Sequence, residues 1–507
     1  MTAATPTFAE FEELLDGRTV VPVWREILAD TLTPVQAYAA VGGGAGSYLL
    51  ESVVGGEARA RYSFVGFDPD LHVAGGDGYY EVTHADGSVT RTTPADPWQA
   101  LRETLSAYRV GAAVPADLPP FWGGAVGYVS YDAVRRFEPT VGPPARAVVA
   151  ADEHDFSFSI GGTLLVFDNA RQTLRIIVPV KVGEGTEARD HYDDAVARID
   201  AAERALSGAP HLPMLMPPDH RLHVDIPPSS FDRASYCAAV ERCKEYIRAG
   251  DIFQVVLSQR FVQPATRDLF EVYRYMRCLN PSPYMYFLRF PEARIAGASP
   301  ETLVRLRAGV AEVRPIAGTR KRGVTREEDA RIEADLFADP KEIAEHVMLV
   351  DLGRNDIGRI SDPGTVAVTE RMVAEYYSHV MHITSNVQGR VSSGRDAIDV
   401  LRATFPAGTL SGAPKVRAMQ IIEQLEPGPR GIYGGAIGYI GFDGNMDVAI
   451  AIRTIVERHD QHYVQAGAGI VEASRPEAEY EETLSKARAP LVSIAAALRA
   501  QVGDQSG

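Results

Sequence analysis

Cysteine is scarce: the 507-residue chain carries three, Cys237, Cys243 and Cys278. An odd set with this spacing fits neither a disulfide framework nor a zinc pattern, and it points to a reducing compartment, the cytoplasm. Positive charge is also short. Lys and Arg number 51 against 67 Asp and Glu, a formal net charge of −16. A nucleic-acid binder needs a basic footprint and a basic membrane-surface protein needs a cationic face, so the balance argues against both. No apolar run approaches the ~20 residues of a membrane span. Met1-Thr2-Ala3-Ala4-Thr5-Pro6 lacks the basic and apolar regions of a secretion signal. What is present is enough apolar material, 45% of residues, for a large core, so disorder as the main state is out.

Length allows about three domains, or one large unit with two halves. The clearest seam is Leu206 to Ser230, with Pro210, Pro213, Pro217, Pro218, Pro227 and Pro228 and little periodicity. Residues 206–230 are read as a Pro-rich connection between an N-terminal half, 1–215, and a C-terminal half, 228–500. In the first half, short apolar runs at Ser47 to Val54, Tyr62 to Val65, Gly123 to Tyr131, Phe158 to Phe167 and Leu174 to Val180 read as strands of a mainly antiparallel system. Helices are expected at Thr7–Leu15, Asp96–Tyr108, Glu187–Leu206 and Asp232–Ala249, with Ile252–Phe261 as a strand. Asp339–Ile360 reads as a helix with Asp339 as its cap. Ser474–Ala500 reads as the longest helix, with a Ser474/Glu477 capping box and a kink at Pro490. One segment echoes another: Gly123 to Asp132 resembles Gly434 to Asp443. The plainer reading is two similar strands in large sheets; the other is that the two halves carry related sheets.

Carboxylates supply the first chemical signal. Glu342 and Glu345 lie three apart on one helix face, and Glu479 and Glu482 repeat the spacing on the last helix, with Lys486 on the same face. Two such pairs facing each other would form an all-oxygen site for Mg²⁺, although one Glu-x-x-Glu alone is usually a solvated face. Gly467-Ala468-Gly469 and Gly408 to Lys415 read as glycine-rich turns whose N–H groups can hold an anion, or as ordinary punctuation. Neither is a phosphate-binding loop or a dinucleotide fingerprint. Arg314, Arg320, Lys321 and Arg322 bunch together. Arg453 follows an apolar run, where it is either buried and paired or free to grip a carboxylate. His382, in Tyr376 to His382, is by itself more often packed than catalytic. No Ser/His/Asp order supports hydrolysis.

Together these segments resemble the chorismate-utilising enzymes, and within them the component I group of anthranilate synthases. The resemblance runs from about Leu49 to Arg488 and rests on Asp251 to Ser258, Gly297 to Glu301, Arg314 to Thr319, Glu345 to Leu352, Gly408 to Lys415, Tyr433 to Gly435 and Gly467 to Ile470. It implies an α+β fold: two packed, mainly antiparallel sheets with helices outside and the active site in the cleft between them. It implies a lyase that makes anthranilate and pyruvate from chorismate and ammonia, the first step of tryptophan biosynthesis. Glu345 and Glu482 match direct Mg²⁺ ligands, with Glu342 and Glu479 beside them. Arg453, Tyr433 and the backbone of Gly467, Ala468 and Gly469 match the clamp on the enolpyruvyl carboxylate. Gly318, Thr319, Thr409 and Lys486 line the same pocket. Glu301 matches the acid for the departing 4-hydroxyl, and His382, Thr409 and Lys486 complete the catalytic set.

Two positions separate related activities. Isochorismate and salicylate synthases resemble this sequence but place a Lys where Gln254 stands, to activate water. One type of aminodeoxychorismate synthase carries a nucleophilic Lys where Ala317 stands. Others do without it, so aminodeoxychorismate synthase component I is the alternative reading. Leu50, Glu51 and Ser52, with Asn280, Pro281, Ser282, Pro283, Tyr284 and Met285, resemble the segments that bind tryptophan in feedback inhibition. The 1–215 half would thus carry part of the regulatory site and the 228–500 half the chorismate site. None of the three cysteines sits in a Gly-x-Cys-x-Gly setting. The resemblance therefore implies a separate glutamine amidotransferase, component II, that supplies ammonia in a heterotetramer with two copies of each chain.

Overall fold

The computed structural model describes residues 3–16, 18–53, 61–110, 117–142, 154–183, 185–218, 222, 224–376 and 380–504. Val54 and Tyr377 to His379, which fall within segments singled out above, lie outside them.

Two large sheets organise these residues, and every strand pairing described is antiparallel. The first runs in the order Val20–Leu28, Thr173–Lys181, Thr163–Asp168, Tyr62–Phe67, Ser47–Glu51, Tyr284–Arg289, Arg294–Ser299, Thr454–Arg458, Gln461–Ile470, Gln254–Pro264, Gly412–Ala413. The second runs Ile316–Lys321, Val380–Arg390, Val310–Val313, Thr302–Arg307, Met446–Ile450, Ala436–Gly441, Gly124–Val129, Phe156–Ile160, Leu71–Gly76, Tyr79–His84, Val89–Thr92, with Ala367–Tyr376 paired to Val380–Arg390. Each sheet mixes strands from before and after the Pro-rich segment, which has no helix or strand from residue 209 to 218.

Strand alternation shows how the layers meet. Tyr48, Phe64, Leu164, Val166, Tyr286 and Leu288 enter the larger core, shared with the second sheet. Their neighbours Leu49, Val65, Leu165, Phe167, Met285 and Phe287 pack instead with Tyr38, Tyr273 and Leu491 of the helices. The first sheet is thus covered on both faces, which is why its strands read as continuous apolar runs. The fold is the expected α+β arrangement of two sheets with helices outside.

Helix caps follow the sequence closely. Thr7, Asp96 and Asp232 each accept a backbone N–H at the start of Phe8–Leu14, Pro97–Ser106 and Arg233–Arg248. Asp339 accepts from Lys341 and Glu342 at the start of Pro340–Gly358. Two expectations need correction. Phe158 to Phe167 is not one strand: Gly161 and Gly162, both at positive φ, turn the chain from Phe156–Ile160 in one sheet to Thr163–Asp168 in the other. The last helix, Pro476–Asp504, starts two residues after Ser474. The Ser474 hydroxyl accepts from the Val471 N–H at 3.0 Å instead of closing a box with Glu477. The echoing segments are, on the plainer reading, two similar strands of a large sheet. Gly124–Val129 and Ala436–Gly441 pair directly, Gly127 opposite Gly438, and join the two halves in one sheet.

Candidate functional site

The Gln461–Ile470 strand forms one wall of the site. Gly467, Ala468 and Gly469 are not a turn: they continue the strand, opposite Ser258, Leu257 and Val256. Their small size serves close packing. A Cβ on Gly469 would lie 2.7 Å from Gln254 Nε2, and one on Gly467 2.9 Å from both the Leu257 carbonyl oxygen and Tyr433 Oη. On the strand's other side, pairing with Thr454–Arg458 runs only from Val464 to Gln461. The neighbouring strand begins after Arg453, so one backbone edge beyond Val464 has no strand beside it among the described residues. The backbone groups of this stretch thus lie on an open strand edge rather than in a turn.

Arg453 sits in the left-handed region, φ 50°, uncommon for a residue with a side chain and characteristic of functional sites. Its Nη1 donates to Asn280 Oδ1 at 3.3 Å. Among the described residues no carboxylate stands within salt-bridge distance of it. Burial lowers its pKa, and Glu301 opposes that shift. A half-buried guanidinium with no salt-bridging carboxylate is a carboxylate site in waiting. Tyr433 is buried against Gly467, with burial pushing its phenol up.

Glu301 follows the Arg294–Ser299 strand. Its Oε1 accepts from the Thr409 hydroxyl at 3.0 Å, from the turn Gly408–Leu410. Burial pushes the Glu301 carboxyl up to about 7, against the pull of Thr409, Lys486 and Arg453. Lys486 Nζ donates to the Gly467 carbonyl at 3.0 Å and pairs with Glu482 at 2.8 Å. Glu301, Thr409, Arg453, Tyr433, Gly467 and Lys486 are therefore joined by contacts or by fields, although they come from six separate stretches of chain.

His382 lies on Val380–Arg390, opposite Thr319. Its Nδ1 stands 3.1 Å from the Gly318 carbonyl and 3.0 Å from the Thr319 hydroxyl. A carbonyl only accepts, so Nδ1 carries the proton and the lone pair sits on Nε2. Burial lowers the His382 pKa, which keeps the ring neutral near pH 7. Gly318 also adjoins the first glutamate pair: a Cβ there would be 3.2 Å from Glu342 Oε2.

Among the described residues, no three His, Cys, Asp or Glu side chains gather closely enough to enclose a metal ion. The four glutamates are nevertheless neighbours. Burial and then Glu342 push Glu345 up, with Glu482 adding to the shift; burial, with Glu482 behind it, pushes Glu479 up against a Ser474 hydrogen bond. Arg320 holds Glu342 at 2.9 Å as Lys486 holds Glu482. An all-carboxylate oxygen set whose members repel one another suits a hard divalent cation, so the donor chemistry fits Mg²⁺. The basic bunch is neutralised locally: Arg314 pairs with Glu370 and Glu375, Arg320 with Asp339 and Glu342, Arg322 with Asp329.

The second group of residues surrounds a different cavity, of about 190 Å³. Leu50, Glu51, Ser52, Pro283, Tyr284 and Met285 line it, brought together because Ser47–Glu51 pairs with Tyr284–Arg289, Glu51 opposite Met285. Asn280, Pro281 and Ser282 do not line it; Asn280 reaches Arg453 instead. The Glu51 carboxylate already accepts from Tyr273 at 2.7 Å and pairs with Arg277 at 2.8 Å. An ammonium there would join two existing donors. Tyr273 and Arg277 escaped sequence reading because they look like ordinary helix residues; the i,i+4 spacing on Leu269–Leu279 was the available signal.

Comparison with known proteins follows the same lines. The family described as chorismate binding enzyme matches residues 57–492. Anthranilate synthase component 1 of Acinetobacter calcoaceticus is 46% identical, covering 96% of this chain and 98% of its own. That of Aquifex aeolicus is 44% identical, covering 97% and 98%. The crystal structure of anthranilate synthase component I from Streptococcus pneumoniae TIGR4 superposes with a TM-score of 0.73 at 36% identity, covering 92% of this chain and 99% of that one. The menaquinone-specific isochorismate synthase of Escherichia coli shares the fold, with a TM-score of 0.66 at 16% identity, covering 96% and 99%.

Proposed function

The chain belongs to the chorismate binding enzyme family, and from that premise we propose that it is the ammonia-using component of an anthranilate synthase. It converts chorismate and ammonia to anthranilate, pyruvate and water. A separate glutaminase chain, two copies to two of this one, supplies the ammonia, and tryptophan inhibits. The observation that carries the reading is the juxtaposition of Glu301, half-buried and pushed up to about 7, with Arg453, half-buried and with no salt-bridging carboxylate among the described residues.

Chorismate is a dianion, and the site has a different holder for each carboxylate. Arg453, with Tyr433 and the open edge at Gly467 to Gly469, takes the enolpyruvyl carboxylate through charge-assisted bonds. Glu345 and Glu482, with Glu342 and Glu479 beside them, would hold Mg²⁺, which would supply electrostatic stabilisation at the ring carboxylate. Lys486 adds positive charge near the Gly467 carbonyl. Hydroxide is a poor leaving group, so Glu301 protonates the 4-hydroxyl as ammonia adds at C2. Thr409 orients that carboxyl. Loss of the C2 proton and of pyruvate then aromatises the ring; His382, neutral with a basic Nε2, stands in the pocket for that proton transfer. Gln254 has no basic nitrogen to activate water and Ala317 no amine to attack the ring, which favours ammonia as nucleophile.

For tryptophan, the 190 Å³ cavity and the Asn280–Arg453 hydrogen bond support regulation: the segment from Asn280 to Met285 touches the cavity at one end and the carboxylate clamp at the other. The test is incubation of the purified chain with chorismate, Mg²⁺ and ammonium, with and without tryptophan, following anthranilate fluorescence and product mass. A product with the mass of aminodeoxychorismate, or no loss of chorismate, would overturn the reading.

A further inference from the structure

Behind the Glu301–Thr409 contact lies a second, smaller cavity of about 50 Å³. A water molecule needs roughly 10–15 Å³ of such space, so there is room for a few. Glu301 and Thr409 line one side; Gly353, Asp356 and Thr404 line another. Asp356 is 5% exposed. Its Oδ2 accepts from Lys415 Nζ at 2.7 Å, and the same ammonium reaches the Thr404 carbonyl at 3.3 Å. Its Oδ1 is buried with no hydrogen-bond partner among the described residues. A buried ion pair is a weak source of stability, and an orphaned carboxylate oxygen costs more. Nothing in the chemistry above uses this pair, so a reason for it is wanted.

We propose that Asp356 relays protons to Glu301: water in the 50 Å³ cavity connects Asp356 Oδ1 to the Glu301 carboxyl and restores the proton spent on each departing hydroxyl. The relay rests on the reading of Glu301 as the acid. When the C4–O bond breaks, Glu301 gives up its proton, water leaves, and a carboxylate remains. The nitrogen added at C2 releases one proton to solvent. One proton must then reach Glu301, and its substrate side is filled by the reacting ring. Each water, and Asp356 itself, accepts one proton and passes one on, so their own protonation is unchanged and no redox partner is needed. Asp356 acts on substrate only through Glu301 and is a positioning residue in that sense.

The groups facing Asp356 are consistent with this role. Burial pushes the Asp356 carboxyl up, against the pull of Lys415, from Lys415–Leu425, and of Arg359, at the end of its own helix. Arg314 also borders the cavity, with its charge held by Glu370 and Glu375.

The test uses the full chain with chorismate, Mg²⁺ and ammonium. Asp356→Asn is expected to lower kcat about tenfold, part of the 10²–10⁴ that general acid catalysis contributes. The chorismate KM should not change, and the D₂O effect on kcat should rise. Because Asn leaves Lys415 buried and unpaired, the double variant Asp356→Leu/Lys415→Met repeats the test without an orphan charge and should show the same split. A wild-type kcat and D₂O effect in the double variant would overturn the relay. A fall in kcat with an unchanged D₂O effect would also overturn it, since that is what a packing role predicts. Glu301→Gln, run alongside, separates the two claims: full turnover there removes the acid assignment itself, whereas a slow Glu301→Gln beside normal Asp356 variants removes only the relay.

Discussion

At the scale of single residues, the site depends on two charges that burial makes unusual. Glu301 holds its proton to about 7 because burial outweighs Thr409, Lys486 and Arg453. The acid form is the useful one, so its contribution to kcat is present below that value and lost as pH rises through it. A kcat profile should therefore fall on the alkaline side near pH 7, and Glu301→Gln should abolish that limb while lowering kcat by roughly 10²–10⁴. An unchanged limb in the variant would assign it to another group. Arg453 invites a second measurement. Lys cannot reproduce its two-pronged geometry. Arg453→Lys should lower kcat/KM for chorismate roughly 10- to 100-fold, the worth of a charge-assisted hydrogen bond. The residue types at these positions were legible in the sequence, but the burial that gives them their properties was not. Glu301 owes its upward shift to burial in a surrounding core that no local pattern announces, and the hydroxyl that tempers it, on Thr409, is 108 residues away.

At the scale of elements, helices were more legible than strands because their signals are local. Asp339, Pro340 and Glu342 mark a helix start within four residues, and the i,i+3 glutamates need only helical geometry to share a face. Strand partners lie far off: Ser47–Glu51 meets Tyr284–Arg289 across more than 200 residues. Gly467 to Gly469 misled for a related reason. Gly-x-Gly usually punctuates a turn, but here it lets Gln254, Leu257 and Tyr433 approach a continuing strand. The Asn280–Met285 segment is the element with most to test. If it couples the cavity to the clamp, tryptophan at micromolar concentration should raise the apparent chorismate KM, and chorismate should weaken tryptophan binding by the same factor. Asn280→Ala removes the hydrogen bond to Arg453 without touching the cavity lining. Calorimetry should then still detect tryptophan binding, while the shift in chorismate KM shrinks. Loss of tryptophan binding in Asn280→Ala, or a full KM shift, would exclude this route.

At the scale of the whole molecule, the Pro-rich segment looks like a boundary in sequence and is not one in hydrogen bonding. One sheet is sewn across the halves by Ser47–Glu51 against Tyr284–Arg289, the other by Gly124–Val129 against Ala436–Gly441. Tyr128 of the first half also donates to Glu292 of the second at 2.9 Å. Cutting between the halves would leave two interior strands on each piece as bare edges and divide the larger core between them. Residues 1–215 and 228–500 expressed apart should therefore aggregate or lack a cooperative urea transition. The intact chain should unfold in one transition, with a large dependence on urea concentration because both sheets lose their burial together. A soluble 228–500 fragment with its own sharp transition would show instead that the site-bearing strands form an independent unit and that the first half is an addition to it.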